Sequence, residues 1–341
     1  MTMAMFPAKK FKRNMAFKNN NYKKNQMKKI ITTIIMGILS LGAYAQQDAG
    51  FSMYFFNPVY VNPGYAGSRE AFSGTLVHRS QWVGMPGSPT TQSLSMHTAL
   101  PNSRVGLGLQ VYNDKEGPLR NTGINLTYAY HLPINETTKL SFGLTGMLNN
   151  LRIGFDEINV DDNNDKAFIG NSASTWVPDA TVGVYLYKSR FYAGVSVNHL
   201  FQSKFDFTNA SGSDLSRFNR QFYANSGVVI PVTKSIDFRP SVLLKYVTAA
   251  PVVGEIDGSL IFFQKFFIGA GFRTNKRINI DGTDNMLIGI AELEISNFLR
   301  VGYSYDYYLN RTGTYNGGTH EIMLGWDVGA GKTKMSSPRF F

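Results

Sequence analysis

Residues 105–112 read VGLGLQVY and residues 123–130 read GINLTYAY, and these two runs decide how the chain folds. In the first, Val105, Leu107, Leu109 and Val111 alternate with Gly106, Gly108, Gln110 and Tyr112; in the second, Ile124, Leu126, Tyr128 and Tyr130 alternate with Gly123, Asn125, Thr127 and Ala129. Successive strand side chains point to opposite faces, so a period of two gives one apolar and one polar face, where a helix needs a period near 3.6. The pattern persists in Leu140-Phe142-Leu144, Val182-Val184-Leu186, Phe191-Ala193-Val195-Val197, Ile236-Phe238-Pro240-Val242-Leu244, Leu299-Val301-Tyr303-Tyr305 and Ile322-Leu324-Trp326-Val328. The chain is therefore expected to be all-β. A soluble sandwich turns such a face inward. A membrane barrel turns it out to lipid and leaves Arg239, Lys245, Arg300, Asp306, Glu321 and Asp327 facing the lumen.

Connector lengths separate these two architectures. From a first strand near Ala71 to Arg79, long polar connectors around Ser80–Ser88, Asp114–Leu119, Asn150–Val177, Gln202–Asn219, Thr274–Asp284 and Asn310–Gly317 alternate with tight ones at Pro101–Ser103, Pro133–Thr137, Lys188–Ser189, Pro231–Thr233, Gln264–Lys265 and Ile295–Asn297. Only Thr248–Pro251 is short where a long one is expected. Short periplasmic turns alternating with longer outer loops mark an outer-membrane β-barrel, and strands of roughly ten residues span lipid when tilted. We count about fourteen antiparallel strands over residues 71–328, an even number that places both termini in the periplasm, with 329–341 as a periplasmic tail. Aromatic residues make up 13% of the chain, and those near strand ends, from Tyr112, Tyr128, Tyr130, Tyr185, Tyr187, Tyr192 and Tyr223 to Tyr246, Phe266, Phe267, Tyr303 and Tyr308, read as interfacial girdles.

Export agrees with this reading. Met27 to Ala45, MKKIITTIIMGILSLGAYA, has a Lys28-Lys29 head, an apolar run and a small-x-small end at Ala43-Tyr44-Ala45, which predicts a signal peptide cleaved before Gln46. Residues 1–26 form a basic extension, either a lengthened signal head or sequence upstream of a start at Met27. The formal net charge of +11 resides mostly there: residues 1–45 hold nine Lys/Arg and no acid, which leaves 25 basic against 23 acidic residues beyond them. That balance argues against a nucleic-acid partner. The chain has no cysteine, so it has neither a thiolate catalyst nor a lipidated cysteine, and its contact with outer-membrane lipid must come from its folded surface.

No catalytic or metal-binding constellation emerges, and neither enzyme activity nor a cofactor is expected. His78, His97, His131, His199 and His320 lie on different predicted strands without metal-ligand spacing. Asp161-Asp162-Asn163-Asn164-Asp165 lacks the Gly at position six and the Glu at position twelve that close an EF-hand. Glu292 and Glu294 share a strand face with nothing to separate their pKa values, and Gly269-Ala270-Gly271 is followed by no helix, so it is no phosphate loop.

The remaining signal lies in residues 57–97. Asn57-Pro58 and Asn62-Pro63-Gly64-Tyr65-Ala66-Gly67-Ser68 impose extended or turn geometry on a segment, 46–70, that should not be helical and is expected to lie at the periplasmic mouth or in the lumen as a plug or docking strip. A strand follows, then His78-Arg79-Ser80-Gln81-Trp82-Val83-Gly84, a Gly/Pro-rich bend, and Pro89-Thr90-Thr91-Gln92 leading to His97. This order of elements resembles the PorP/SprF family of outer-membrane proteins that work with the type IX secretion system of gliding bacteria. Gly64 stands where that family more often has alanine. The resemblance implies a non-enzymatic barrel that helps a large surface adhesin or other cargo, recognised through its C-terminal domain, to be exported and held at the cell surface beside other secretion components. Asn57, Pro58, Asn62, Pro63, Gly67, Arg79, Gln81, Trp82, Pro89, Thr90, Thr91 and His97 are the candidate partner-binding residues. For Arg79 a structural pair inside the lumen is the equal alternative to a grip on the incoming chain. A passive porin or small-solute channel would use the same barrel, and an outer-membrane enzyme would need acids and bases gathered at one rim.

Overall fold

The structure, a computed structural model, describes residues 50–69, 71–154, 172–205, 216–248, 250–276 and 284–329. The basic extension, the signal peptide, Asp161–Asp165 and residues 330–341 lie outside them. Fourteen strands form the wall: β1 (Phe72–Ser80), β2 (Thr90–Ala99), β3 (Val105–Glu116), β4 (Leu119–Pro133), β5 (Thr138–Ile153), β6 (Ala173–Lys188), β7 (Phe191–Asn198), β8 (Gln221–Val228), β9 (Ile236–Val247), β10 (Val252–Phe262), β11 (Phe266–Lys276), β12 (Asp284–Ser296), β13 (Leu299–Tyr308) and β14 (Thr319–Val328). Each pairs antiparallel with its neighbours in sequence, and β14 returns to β1 in register from Phe72 opposite Val328 to Ser80 opposite His320. This closure removes the sheet edges, the only way a sheet can sit in lipid with every backbone polar group paired.

The outward positions form a continuous apolar band. Leu126 is 64% exposed and Ile256 67%, with Leu107, Leu144, Val195, Leu244, Ile268, Leu293 and Ile322 beside them on other strands. A surface of this extent is tolerated against hydrocarbon and not against water. The six luminal charges expected from the alternation are all on the inner face and at most 12% exposed.

Three expectations need correcting. Asp114–Leu119 is not a long loop: β3 and β4 pair out to Glu116 opposite Leu119, leaving only Gly117-Pro118 between them. Gly117 has φ of +57°, the backbone a tight primed hairpin turn requires, and the polar run around it continues the ladder. The aromatic girdle is half of what was expected. Tyr128, Tyr130, Tyr246, Phe266 and Tyr303 do face outward, but Tyr112, Tyr185, Tyr187, Tyr192, Tyr223, Phe267 and Tyr308 are buried on inner-face positions, because strand parity rather than nearness to a strand end decides the side. Finally, the Asn-Pro segment contains helical turns: a single α-helical turn at Pro58–Val61 between 3-10 turns at Tyr54–Phe56 and Pro63–Tyr65. Asn57 (φ −131°) and Asn62 (φ −141°) stay out of the helical region as residues before proline must, while each proline opens a turn at the first helical position, where its missing N–H costs nothing.

Candidate functional site

Residues 51–69 lie inside the barrel, almost all of them buried, in contact with inward side chains from strands around the whole circumference. Two chemically different halves of the lumen hold the two ends of this segment. The inner faces of β9–β14 and β1 supply Arg239, Glu255, Asp257, Arg273, Glu292, Arg300, Asp306, Glu321, Asp327 and Arg79; those of β2–β8 supply mainly Ser, Thr, Asn and Gln.

On the charged half, Glu321 is the anchor. Its two carboxylate oxygens accept the backbone N–H groups of Ser52 and Met53, each at 2.9 Å. The Arg79 guanidinium lies between Glu321 (2.9 Å) and Asp306 (2.8 Å), and it also donates to the Ser52 hydroxyl at 3.1 Å; that hydroxyl in turn donates to Asp306 at 2.8 Å. Arg273 pairs with Glu255 and donates to the Phe51 carbonyl and to Ser52 Oγ. Burying these ions is costly unless each is paired and hydrogen-bonded, and here the segment's own backbone supplies part of that pairing, while Arg79 Nε, Glu255 Oε1 and Asp306 Oδ1 stay buried without a hydrogen bond. Tyr54 donates to Asp257 at 3.1 Å; burial, then Tyr192, Asp257 and Glu255, push its pKa well above the ordinary value, so the hydroxyl stays protonated as a donor. The Arg239 guanidinium lies 3.8 Å over the Phe55 ring and 4.7 Å over Phe267.

On the neutral half the fit is by close approach. Asn62 Nδ2 donates to the carbonyls of Val184 (3.0 Å) and Val195 (3.1 Å) while its Oδ1 accepts from Gly64 N at 2.9 Å. This is possible because Gly183 and Gly194 face it: a Cβ on Gly183 would collide with Asn62 Oδ1, just as one on Gly106 would collide with the Ala66 carbonyl. Gly143 opens the same groove beneath Pro63 and Gly64. Ser196 donates to Val61 O, His131 Nε2 donates to Ala66 O at 2.8 Å, and Gly67 N donates to His97 Nδ1 at 3.2 Å. Arg69 closes the segment with bonds to Tyr65 (2.8 Å) and to both oxygens of Asp327 (3.1 Å).

The twelve candidate partner-binding residues thus fall into two groups. Asn57, Pro58, Asn62, Pro63, Gly67, Arg79, Thr91 and His97 are buried; Arg79 is 3% exposed and its two terminal nitrogens are both engaged. Gln81, Trp82, Pro89 and Thr90 are half-buried at the long-loop rim. There the first loop is tied to the last: Val83 N donates to Gly318 O (2.9 Å) and Gly317 N to Val83 O (2.7 Å), beside Tyr315, which is 71% exposed. Trp82 holds φ of +51°, a conformation costing about 1–3 kcal/mol in a bulky residue and persisting only where the surroundings impose it. Sequence reading missed Gly106, Gly143, Gly183 and Gly194, whose inward parity was visible although their partner was not. Among the described residues no group of three His, Asp or Glu is placed to hold a metal ion.

A closed antiparallel barrel with an apolar outer band and a polar lumen is the fold of outer-membrane β-barrel proteins. Within that class the chain belongs to the PorP/SprF family of type IX secretion system membrane proteins, whose family model matches residues 43–326. Among solved structures it is similar to the CymD monoaromatic hydrocarbon channel, at 10% identity and a TM-score of 0.52 over 80% of this chain and 91% of that one. A FadL homologue from Pseudomonas aeruginosa aligns at 10% identity and a TM-score of 0.46, over 80% of this chain and 93% of its own. No curated protein matches.

Proposed function

We propose that this barrel is a non-enzymatic component of type IX secretion that assists export and surface attachment of a large cargo protein, such as an adhesin used in gliding, by binding the cargo's C-terminal domain. It sits in the outer membrane with the tight turns and the C-terminal end in the periplasm. The observation that carries this reading is the filled lumen: residues 51–69 act as a plug fixed to both halves of the wall by Glu321, Arg79, Asn62 and Arg69. Next to Tyr60 a cavity of about 30 Å³ lies between the segment and β3–β7, room for a water or two. A barrel so filled suits a docking platform better than a conduit. Cargo contact is made at the rim by Gln81, Trp82, Pro89 and Thr90, while the eight buried candidates act indirectly by holding the plug and the first hairpin in place. Trp82 is half-buried there, its ring 6.4 Å from that of the buried Tyr308, so it offers the cargo one side of an aromatic surface that the lumen holds in place.

The competing reading is a channel, the function printed for CymD. The two separate in a pull-down from native outer membrane with parallel conductance measurements. The wild-type chain is expected to bring down one large secreted protein through its C-terminal domain and to conduct little; Gln81→Ala/Trp82→Ala is expected to lose the cargo while the barrel remains folded. Strong partner-independent conductance with no cargo bound would replace this proposal with the porin.

A further inference from the structure

The luminal segment has a direction. Phe51, Ser52 and Met53 are held by Arg79, Arg273, Asp306 and Glu321, each within three residues of the strand end on the long-connector side of the barrel. The last contacts of the segment lie at the opposite end. Ala66 and Gly67 meet His97, Gly106 and His131, and Arg69 meets Asp327, each within two residues of the strand end on the tight-turn side. Glu321 and Asp327 stand on the same strand, β14, and the six residues between their positions correspond to about 20 Å at about 3.3 Å per residue.

The start of the segment is not enclosed. Gly50 is exposed and a Cβ built on it would meet nothing within 4 Å, whereas Phe51, Ser52 and Met53 after it are buried. With the signal peptide removed before Gln46, four residues precede Gly50, and fully extended they reach about 14 Å at most, which falls short of the tight-turn mouth. The long-connector rim is close by. Trp82 N donates to Thr319 Oγ1 at 3.3 Å, Thr319 shares a hydrogen bond of 3.1 Å with the Tyr308 hydroxyl, and Thr319 lies two residues before Glu321 on the same strand.

The geometry points to a luminal segment threaded from the cell-surface side: the processed chain begins at the long-connector mouth, beside the rim that carries Gln81 and Trp82, and runs inward to reach β1 at the periplasmic mouth. An even strand number puts the start of β1 and the end of β14 on one side, but it does not place the chain ahead of β1. The periplasmic expectation is therefore kept for the C-terminus and reversed for the N-terminus. As a consequence, an extracellular partner meets the start of the chain and the ion cluster around Ser52 together with the first loop, while a periplasmic partner meets the Arg69 end. This placement holds whether or not a cargo binds at the rim.

The chain has no cysteine, so single substitutions report their own accessibility. The test treats intact and permeabilised cells with a membrane-impermeant polyethylene glycol maleimide and reads the mass shift of the full chain on gels. Gly50→Cys and Tyr315→Cys, the latter in the exposed last loop, are expected to shift on intact cells; Ser189→Cys, exposed in a tight turn, is expected to shift only after permeabilisation. Heat-modifiable migration confirms that all three variants are folded, and mass spectrometry of the purified chain is expected to give Gln46 as its first residue. A Gly50→Cys chain that stays unlabelled until permeabilisation, while Tyr315→Cys is labelled on intact cells, overturns the proposal. A purified chain that still carries residues 27–45 also overturns it, because that length can return to the periplasm.

Discussion

Replacing Glu321 by Gln should release the front of the luminal segment without dissolving the barrel. The wild-type carboxylate accepts three donors, the N–H groups of Ser52 and Met53 and one Arg79 nitrogen, all at 2.9 Å and all buried. An amide of the same shape keeps one acceptor oxygen and turns an NH2 group toward donors that need an acceptor, and it leaves Arg79 with Asp306 as its one carboxylate partner. Removing one member of a buried ion pair costs about 3–5 kcal/mol, and each 1.4 kcal/mol is tenfold, so the segment should open about a hundred- to several-thousand-fold more often. Hydrogen exchange measured on the peptide around residues 50–57 would read this directly. Protection there should fall by that factor, while the ladder from β3 to β5, whose pairing does not involve Glu321, keeps its wild-type exchange. Unchanged protection at Ser52 and Met53 would refute the reasoning, and loss of protection throughout the barrel would show that Glu321 holds the wall rather than the segment.

Other outcomes follow from the same geometry. Gly183→Ala puts a methyl group into Asn62 and should cost about 1–3 kcal/mol of local stability, partly restored when Asn62→Ala is added, as a double-mutant cycle by hydrogen exchange would show. Arg79→Lys keeps the charge but cannot reach Glu321, Asp306 and Ser52 at once, so exchange at Ser52 should rise, though less than in Glu321→Gln. Tags within Asn150–Val177 or Gln202–Asn219 should be reached by antibody on intact cells and tags at Lys188–Ser189 or Gln264–Lys265 should not, which fixes the orientation of the barrel.

The wall was legible in the sequence because a period of two is a local property, and parity alone places Leu107 outside and Arg239 inside. What the lumen holds was not. Arg79 meets Asp306 and Glu321 across 227 and 242 residues of chain, a meeting set by the closure of β14 on β1, for which no local pattern exists. The inward glycines carried half of a message: Gly106, Gly143, Gly183 and Gly194 announced a face without side chains, and only the packing of residues 62–67 against it explains why side chains are absent. The aromatic residues misled because strand-end position and facing direction are independent. Tyr128 and Tyr185 both lie within alternating strand runs, yet one faces out and the other packs 5.5 Å from Tyr65 inside. At the rim, the sequence marked Gln81 and Trp82, but the tie between the first and last loops that gives them a neighbouring surface is again a product of closure.

The most direct test of the central claim is a quantitative inventory of surface-exposed proteins on cells lacking this chain, compared with cells complemented by wild type and by Gln81→Ala/Trp82→Ala at equal barrel abundance. The account predicts that one large surface protein disappears from cells lacking the chain, returns with wild type and fails to return with the rim variant, while other secreted proteins are unaffected. A surface inventory that is the same in all three strains, with uptake of small solutes changed instead, would contradict it.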